Sequence, residues 1–530
     1  MKPIPYDQLP DQPLIFLDAI RSFPKVARFF NGDFRDSESF RSVWEQLHPF
    51  PFLRKEVSEL LLREQERFGA PKAACDNARL LSDANCAAVL TGQQIGILGG
   101  PLYTTIKAVA AIGWAKRLTE VLGIPVIPIF WMEGEDHDFE EVRRVNLLDR
   151  NGHLVSLQLE DRRSSSHQVV GWHIPGDEMQ RFLDLLDDTL PPGLHHQQVM
   201  ECARTCYRPG VSLTDGFGKW LSAWLGEQGL LVTESLNPEL KKLAAPWFQK
   251  AVLRSDTHVE LYQKRAQELE AAGYSCTLTP NPEFHFFYIL KDGVRTAISR
   301  IESSQEQLSK LALEHPEVFS PKAILRPIIQ DVLFPTVAII AGPGEVSYLP
   351  QVQPFYQDFE RPMPLIIPRP GVTLMEKAWS RNLEKVSLSV QDIFLPRETL
   401  GAKIVKRDDS GVTEQIDKKL HPIKQSLDEL EAQFSDEPSL SNLTGKFRKD
   451  MEARLQQYKK RIHESIAAKN TDILEKIEAL RIVIYPIGKL QERGLSSLNF
   501  LCRHGFQWVA ERLAAVPIDE FDHAVIPMEE

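Results

Sequence analysis

At 530 residues the chain is too long for one compact core, and its length predicts two or three structural units. A hydrophobic fraction of 43% with 25% charged residues is ordinary for a globular protein. The net charge of −11 excludes a general nucleic-acid binder, which needs a clustered Lys/Arg surface. No apolar run reaches the roughly 18 residues of a membrane span, and the first 20 residues carry one lysine and no uninterrupted apolar stretch, so a cytoplasmic protein with no membrane partner is expected. Six scattered cysteines make no disulfide framework. Cys202 and Cys206 are close, but without a second His/Cys pair they predict thiols and no metal.

In chain order, the first informative stretch runs from Ala87 to Ile129: an apolar run, a glycine-rich turn (Thr91–Gly100), a helix opened by Pro101, and a second apolar run, Val126–Trp131. This is the grammar of a strand–helix–strand unit in a buried parallel sheet. Leu102, Ile106, Ala110, Gly113 and Ala115 form the helix stripe that faces the sheet. Residues 1–150 therefore read as the first part of a Rossmann-type α/β core, and 151–225, rich in His, Asp, Pro and Gln, as an insertion. Residues 226–375 read as the second part, with strands in GLLVTES, TVAIIAGPGE and PLIIPRP. A β-hairpin insertion near 280–325 is signalled by Asp292-Gly293 between two apolar runs.

After Glu376 long charged helices begin. Ile416, Leu420, Ile423, Leu427, Leu430 and Phe434 step by four and three, with Pro422 as a candidate bend. A turn at Ser435–Ser439 leads to a second stripe of Phe447, Met451, Leu455, Tyr458, Ile462 and Ile466, continued by Ile473, Ile477 and Leu480. The pattern predicts an antiparallel coiled-coil hairpin over 376–490, suited to dimerisation, with 491–530 returning to the core.

Ligands of parallel α/β sheets collect outside the carboxyl ends of the strands. Thr91, Gly92, Gln93 and Gln94 occupy such an end, with Tyr103 and Lys107 four residues apart on the following helix, although a lone helix lysine ordinarily points to solvent. The turn and helix N-terminus would favour an anion, yet the motif is neither G-x-G-x-x-G nor G-x-x-x-x-G-K-[ST]. The second strand ends in an acidic loop in which Glu133, Glu135, Asp136, Asp138, Glu140 and Glu141 surround His137. That loop suits an amine or hydroxyl, or a general base of raised pKa; its plain alternative is an acidic helix start. Arg326, Gln330 and Asp331 precede a third strand, Gly342, Gly344 and Glu345 follow it, and Arg369 ends the next. The glycines allow close backbone approach, and Arg369 suits a carboxylate or phosphate as well as a structural ion pair.

TGQQIGILGGPLYTTIKA, FWMEGEDHDFEEV, LRPIIQDVLFPTVAIIAGPGEVSY and IIPRPGVTLME, in this order, resemble the bacillithiol-biosynthesis cysteine-adding enzymes, a cysteine ligase family. The resemblance covers essentially the whole chain. It implies a Rossmann-type core similar to class I synthetases, broken by connecting-peptide insertions and followed by a coiled-coil dimerisation domain. It also implies the joining of cysteine to the amine of glucosaminyl malate, with ATP expected for carboxylate activation although neither H-I-G-H nor K-M-S-K-S is present. On this reading His137, Asp138 and Glu345 are catalytic, His137 or Asp138 taking the proton of the sugar amine. The substrates are bound by Thr91, Gly92, Gln93, Gln94, Tyr103, Lys107, Glu135, Asp136, Arg326, Gln330, Gly342, Gly344 and Arg369. Two other readings are an adenylate-forming synthetase for another small substrate and a metabolite-binding coiled-coil scaffold without catalysis.

Overall fold

A computed structural model describes residues 2–163, 165–396, 399–400, 412–434, 437–469 and 471–528. The chain divides into two compact units, one of Met1–Met375 with Pro486–Glu530 and one of Glu376–Tyr485.

The first unit is built on five parallel strands: β1 Ala87–Gln94, β2 Val126–Glu133, β3 Leu231–Glu234, β4 Thr336–Ala341 and β5 Leu365–Pro368. Their order is β5-β4-β1-β2-β3. The apolar start of β1 is buried through Thr91 and only its last three residues open toward solvent, so the change from Ala-Ala-Val-Leu to Gly-Gln-Gln marks where the core stops. In the β1–β2 register Gln94 lies opposite Glu133, and polar groups from two strands finish side by side. Because the chain leaves β1 toward β2 and β3 and later returns on the other side through β4 and β5, the direction reverses between β1 and β4. A crevice forms at such a reversal.

Helix α1, Leu102–Leu122, links β1 to β2. It is apolar nearly all round and is buried over most of its length, including Lys107, so the solvated position expected for that lysine is not where the side chain lies. A helix hydrophobic on every side needs cover on every side. Helices Leu213–Leu225 (α2), Arg326–Leu333 (α3) and Pro343–Asp358 (α4) lie on the crossovers that complete the sheet. Arg326, Gln330 and Asp331 thus belong to a helix.

The segments between β2 and β4 carry the insertions. The hairpin Arg144–Leu148 with Leu154–Gln158 spans residue 150, and helices Asp177–Thr189 and His196–Cys206 follow. A three-stranded antiparallel sheet joins Phe284–Lys291, Val294–Ser299 and Phe319–Pro321. Asp292 and Gly293, at φ 50° and 77°, form its tight turn. The C-terminal segment completes this unit: Val372–Met375 pairs in parallel with Ala524–Pro527, while Gln491 exchanges hydrogen bonds with the backbone of Leu374 at 2.8 and 3.0 Å.

In the second unit, Val412–Gln433 runs through Pro422 and packs on Pro438–Lys469 as a helical hairpin. Arg448 reaches back to Glu431 at 2.6 Å and Asp428 at 3.6 Å, which sets the two helices antiparallel. Within the expected turn at Ser435–Ser439, residues 435 and 436 lie outside the described residues. The stripe of Ile473, Ile477 and Leu480 falls on a separate helix, Thr471–Ile484. Among the described residues no helix is long and apolar enough to cross a membrane.

The glycine-rich turn after β1 is packed too tightly for other residues. Leu98, Gly99 and Gly100 have φ values of 56°, 87° and 66°, and a Cβ on Gly96 would lie 2.8 Å from Gly100 Cα. Gly96→Ala therefore forces two backbone segments apart and is expected to cost about 1–3 kcal/mol in chemical denaturation. Gly344→Ala, whose Cβ meets nothing within 4 Å in the first turn of α4, should leave stability unchanged or slightly raised.

Candidate functional site

A cavity of about 400 Å³ opens where β1, β2 and β4 end. Its floor is a buried ion pair. Lys107, only 1% exposed, stands on α1 beneath the end of β1, and its Nζ lies 2.5 Å from Glu345 Oε2 on the first turn of α4. The same ammonium donates to Gly92 O at 2.6 Å and Gln93 Oε1 at 3.2 Å, while Gln93 Nε2 donates to the Tyr103 hydroxyl at 3.2 Å. Glu345 also accepts the Gly342 N–H at 2.7 Å, capping its own helix. Burial pushes Lys107 down, opposed first by Glu345. Burial likewise acts to raise Glu345, but Lys107 and the Gly342 N–H override it and hold the carboxylate below its usual range. A carboxylate committed in this way is a poor proton acceptor, so Glu345 organises the site and is not placed to serve as its base.

Three guanidinium groups, Arg326, Arg369 and Arg493, line the cavity. Arg326 donates to the Tyr348 hydroxyl at 2.8 Å and stands 3.9 Å from Glu133, while its Nε is buried with no partner. Arg369 is locked by Glu492 at 2.5 Å and by its donation to Pro370 O at 2.8 Å. Arg369 and Arg493 both lie over the Tyr103 ring, at 5.6 and 5.8 Å from its centre. Burial pushes the Tyr103 and Tyr348 phenols up to about 12, so both stay protonated donors at neutral pH.

Three carboxyls line it as well, Glu133, Asp136 and Glu141, with Glu133 next to Arg326. Burial, then the charge of Glu135, raises Glu133 against Arg326 and Arg295. Burial, then Asp138 and Asp136, raises Glu141. A neighbouring cavity of about 420 Å³ shares Glu133, Asp136 and Arg326 with the first and adds His137, Phe286, Tyr288, Arg295 and Lys322. His137 Nδ1 lies 3.4 Å from Asp136 Oδ1, which Arg295 approaches to 3.5 Å.

The structure gathers Gly92, Gln93, Gln94, Tyr103, Lys107, Asp136, Arg326, Gly342, Gly344, Glu345 and Arg369 around the first cavity and sets His137 on the second. Four further sequence-predicted residues line neither. Thr91 is buried and donates to Ile340 O at 3.0 Å, tying β1 to β4. Glu135 turns inward to Lys241 at 2.5 Å, both side chains being no more than 5% exposed. Asp138 caps the short helix Phe139–Val142 by accepting the Glu141 N–H at 3.3 Å. Gln330 is buried within α3. The acidic loop is therefore divided by function, with some carboxylates spent on structure and the others facing the cavity.

The helix N-terminus expected to hold an anion is closed. Pro101 precedes α1 as its N-cap, not as its first residue, and is bridged to Ser496, while the Leu102 N–H donates to Leu495 O at 2.9 Å. The C-terminal segment that closes it also brings in Arg493 and Glu492, which local patterns at β1 could not foretell. Tyr348 was legible, since it lies one helical turn beyond Glu345 in a stretch already rich in signals. Among the described residues, no group of three or more His, Cys, Asp or Glu side chains is placed to hold a metal ion.

Comparison with known proteins gives this arrangement a family. Residues 2–370 match the model described as Bacillithiol biosynthesis BshC, N-terminal Rossmann-like domain, and residues 372–528 match Bacillithiol biosynthesis BshC, C-terminal coiled-coil domain. The chain belongs to the BshC family. It is 30% identical over 528 residues to a Salinibacter ruber protein named "Putative cysteine ligase BshC", covering 97% of this chain and 96% of that protein. Proteins of the same name from Symbiobacterium thermophilum, 30% identical with 94% of each chain covered, and Bacillus cytotoxicus, 26% identical with 93% and 94% covered, are also similar. In this BshC chain the five strands of the parallel sheet lie in the Rossmann-like match, but Arg493 and Glu492 lie within the coiled-coil match and fold back into the first unit.

Removing Lys107 alone leaves Glu345, whose side chain is 24% exposed, without its main counter-charge. Lys107→Met is expected to destabilise the BshC fold by on the order of 3 kcal/mol, and adding Glu345→Gln should recover part of the loss. Urea denaturation of both variants checks this; a double variant no more stable than Lys107→Met alone would contradict it.

Proposed function

We propose that this chain joins cysteine to the amine of glucosaminyl malate to form bacillithiol, the last step in the synthesis of that thiol. The observation that carries the reading is a cavity lined both by three guanidinium groups, Arg326, Arg369 and Arg493, and by three carboxyls, Glu133, Asp136 and Glu141. Glucosaminyl malate offers two carboxylates to guanidinium groups and an amine to acidic groups, so one molecule suits both kinds of group. The family description and the relatives' name support the same chemistry.

The amine must lose a proton as its nitrogen bonds to the cysteine carbonyl carbon and the leaving group departs. The base is assigned to the Asp136–His137 pair, because both groups stand on cavity walls within 3.4 Å of one another. Asp138 is spent on capping and belongs to the scaffold. A free carboxylate does not condense with an amine in water unaided, and ATP is the proposed source of a leaving group. Arg295, Lys322 and Arg326, next to Phe286 and Tyr288, are the residues suited to its phosphates and base.

Purified protein supplied with glucosaminyl malate, cysteine and ATP is expected to yield bacillithiol together with AMP or ADP, read by mass spectrometry. Combined Asp136→Asn and His137→Ala should lower kcat by about 10²-fold or more, whereas Asp138→Ala should act mainly on stability. Bacillithiol formation at the normal rate by the folded double variant would remove the base assignment.

The hairpin of the second unit is proposed to dimerise the protein. Leu443, Phe447 and Tyr458 are 65%, 52% and 55% exposed along it, more apolar surface than a solvated arm ordinarily shows. Light scattering should report a dimer for the native chain and a monomer for Leu443→Glu with Phe447→Glu; an unchanged mass would exclude this face.

A further inference from the structure

Away from the catalytic cleft, near the N-terminal ends of β4 and β5, lies a cavity of about 490 Å³ whose wall includes Asn31, Gln46, Gln353, Gln357 and Arg361. Helix α4 ends just before it. Glu360 takes a left-handed conformation at φ 55°, and the Arg361 N–H donates to Tyr356 O at 2.8 Å, so the chain doubles back and sends the Arg361 side chain inward.

That guanidinium is caged by aromatic rings. Its Cζ lies 4.3, 4.6 and 5.1 Å from the ring centres of Phe50, Phe52 and Trp247, and the residue is 5% exposed. Its Nε and Nη1 are buried and have no hydrogen-bond partner. Ring faces compensate a cation only in part, and donors left unpaired in a buried position are costly.

The carboxyl whose charge acts on Arg361 is Asp331, with which it makes no ion pair or hydrogen bond. Asp331 accepts from the Tyr356 hydroxyl through Oδ2, its Oδ1 is itself buried without a partner, and burial pushes it up to about 7. Glu360, at the mouth, turns to Lys250 at 3.4 Å. Three of the wall amides are also engaged: Asn31 donates to Met363 O at 2.6 Å, Gln46 to Ser42 Oγ at 3.1 Å and Gln353 to Phe30 O at 3.5 Å. The cavity therefore has in its wall a buried, planar cation with two unpaired nitrogens, and the exposed Gln357 is a further lining residue.

We propose that this cavity is a second ligand site, in which Arg361 binds a small oxyanion, the carboxylate or phosphoryl group of a metabolite, separately from the catalytic cleft. A guanidinium held by three rings offers its N–H edge in a fixed plane, the geometry that carboxylate and phosphoryl oxygens match in pairs. The aromatic cage excludes water from the contact, which strengthens it.

Calorimetric titration of the full-length protein with inorganic phosphate and, separately, with succinate tests the site and distinguishes the two sources. Titrations are run on Arg326→Met, so that anion binding in the catalytic cleft is weakened. Binding of at least one anion is expected there, and adding Arg361→Met should lower its affinity tenfold or more, while Arg361→Lys should give an intermediate loss. Phosphate alone binding would point to a phosphoryl ligand, and succinate alone to a carboxylate. If the Arg361 variants do not fold, Gln357→Leu, which leaves the aromatic cage intact, decides: a severalfold loss supports the site. No binding of either anion, or an affinity unchanged in folded Arg361→Met or in Gln357→Leu, would overturn the proposal.

Discussion

The site depends on the ion pair between Lys107 and Glu345. It joins the helix that follows β1 to the helix that follows β4, across the place where the chain reverses its direction of winding through the sheet. A parallel sheet leaves a crevice at that point because the two following helices diverge to opposite faces. The pair spans the crevice from below, and its remaining hydrogen bonds fix Gly92, Gln93 and Gly342 as the floor. Both charges are compensated by the protein itself. The floor is consequently rigid, and ligand charges are left to the groups above it.

Those upper groups carry both signs, and each is tuned by its neighbours. Arg369 is held by Glu492 and Arg326 by Tyr348, so the guanidinium planes are oriented before any ligand arrives. Among the carboxyls, burial and the charges of neighbouring carboxylates raise Glu133 and Glu141.

The C-terminal segment has a role beyond covering the core. By pairing Leu495 O with the Leu102 N–H, it closes the helix start that would otherwise attract an anion, and it supplies Arg493 to the cavity and Glu492 to hold Arg369. The cations left at the cavity are therefore side chains and not a helix terminus. Side-chain guanidinium groups discriminate geometry better than an open helix terminus does.

How much of this was legible depends on whether the cause was local. The alternation of apolar runs, glycine turns and helix stripes determined the parallel core, the Asp292-Gly293 hairpin and the helical hairpin, because strand and helix periods act over neighbouring residues. Strand ends were legible too: a buried run turning to Gly-Gln-Gln must leave the core there. The sequence alone did not determine which polar residues at those ends face the cavity. Lys107, expected among the substrate-binding residues with a solvated helix position as its alternative, is a buried anchor of the cavity because α1 is covered on all sides, while Glu135 and Asp138 line neither cavity and pair instead with Lys241 and the Glu141 N–H. Arg493 entered from more than a hundred residues away in the chain. Periodicity fixes which elements form, whereas the pairing of buried charges is decided by which partners the fold brings within reach, and only the tertiary structure settles that.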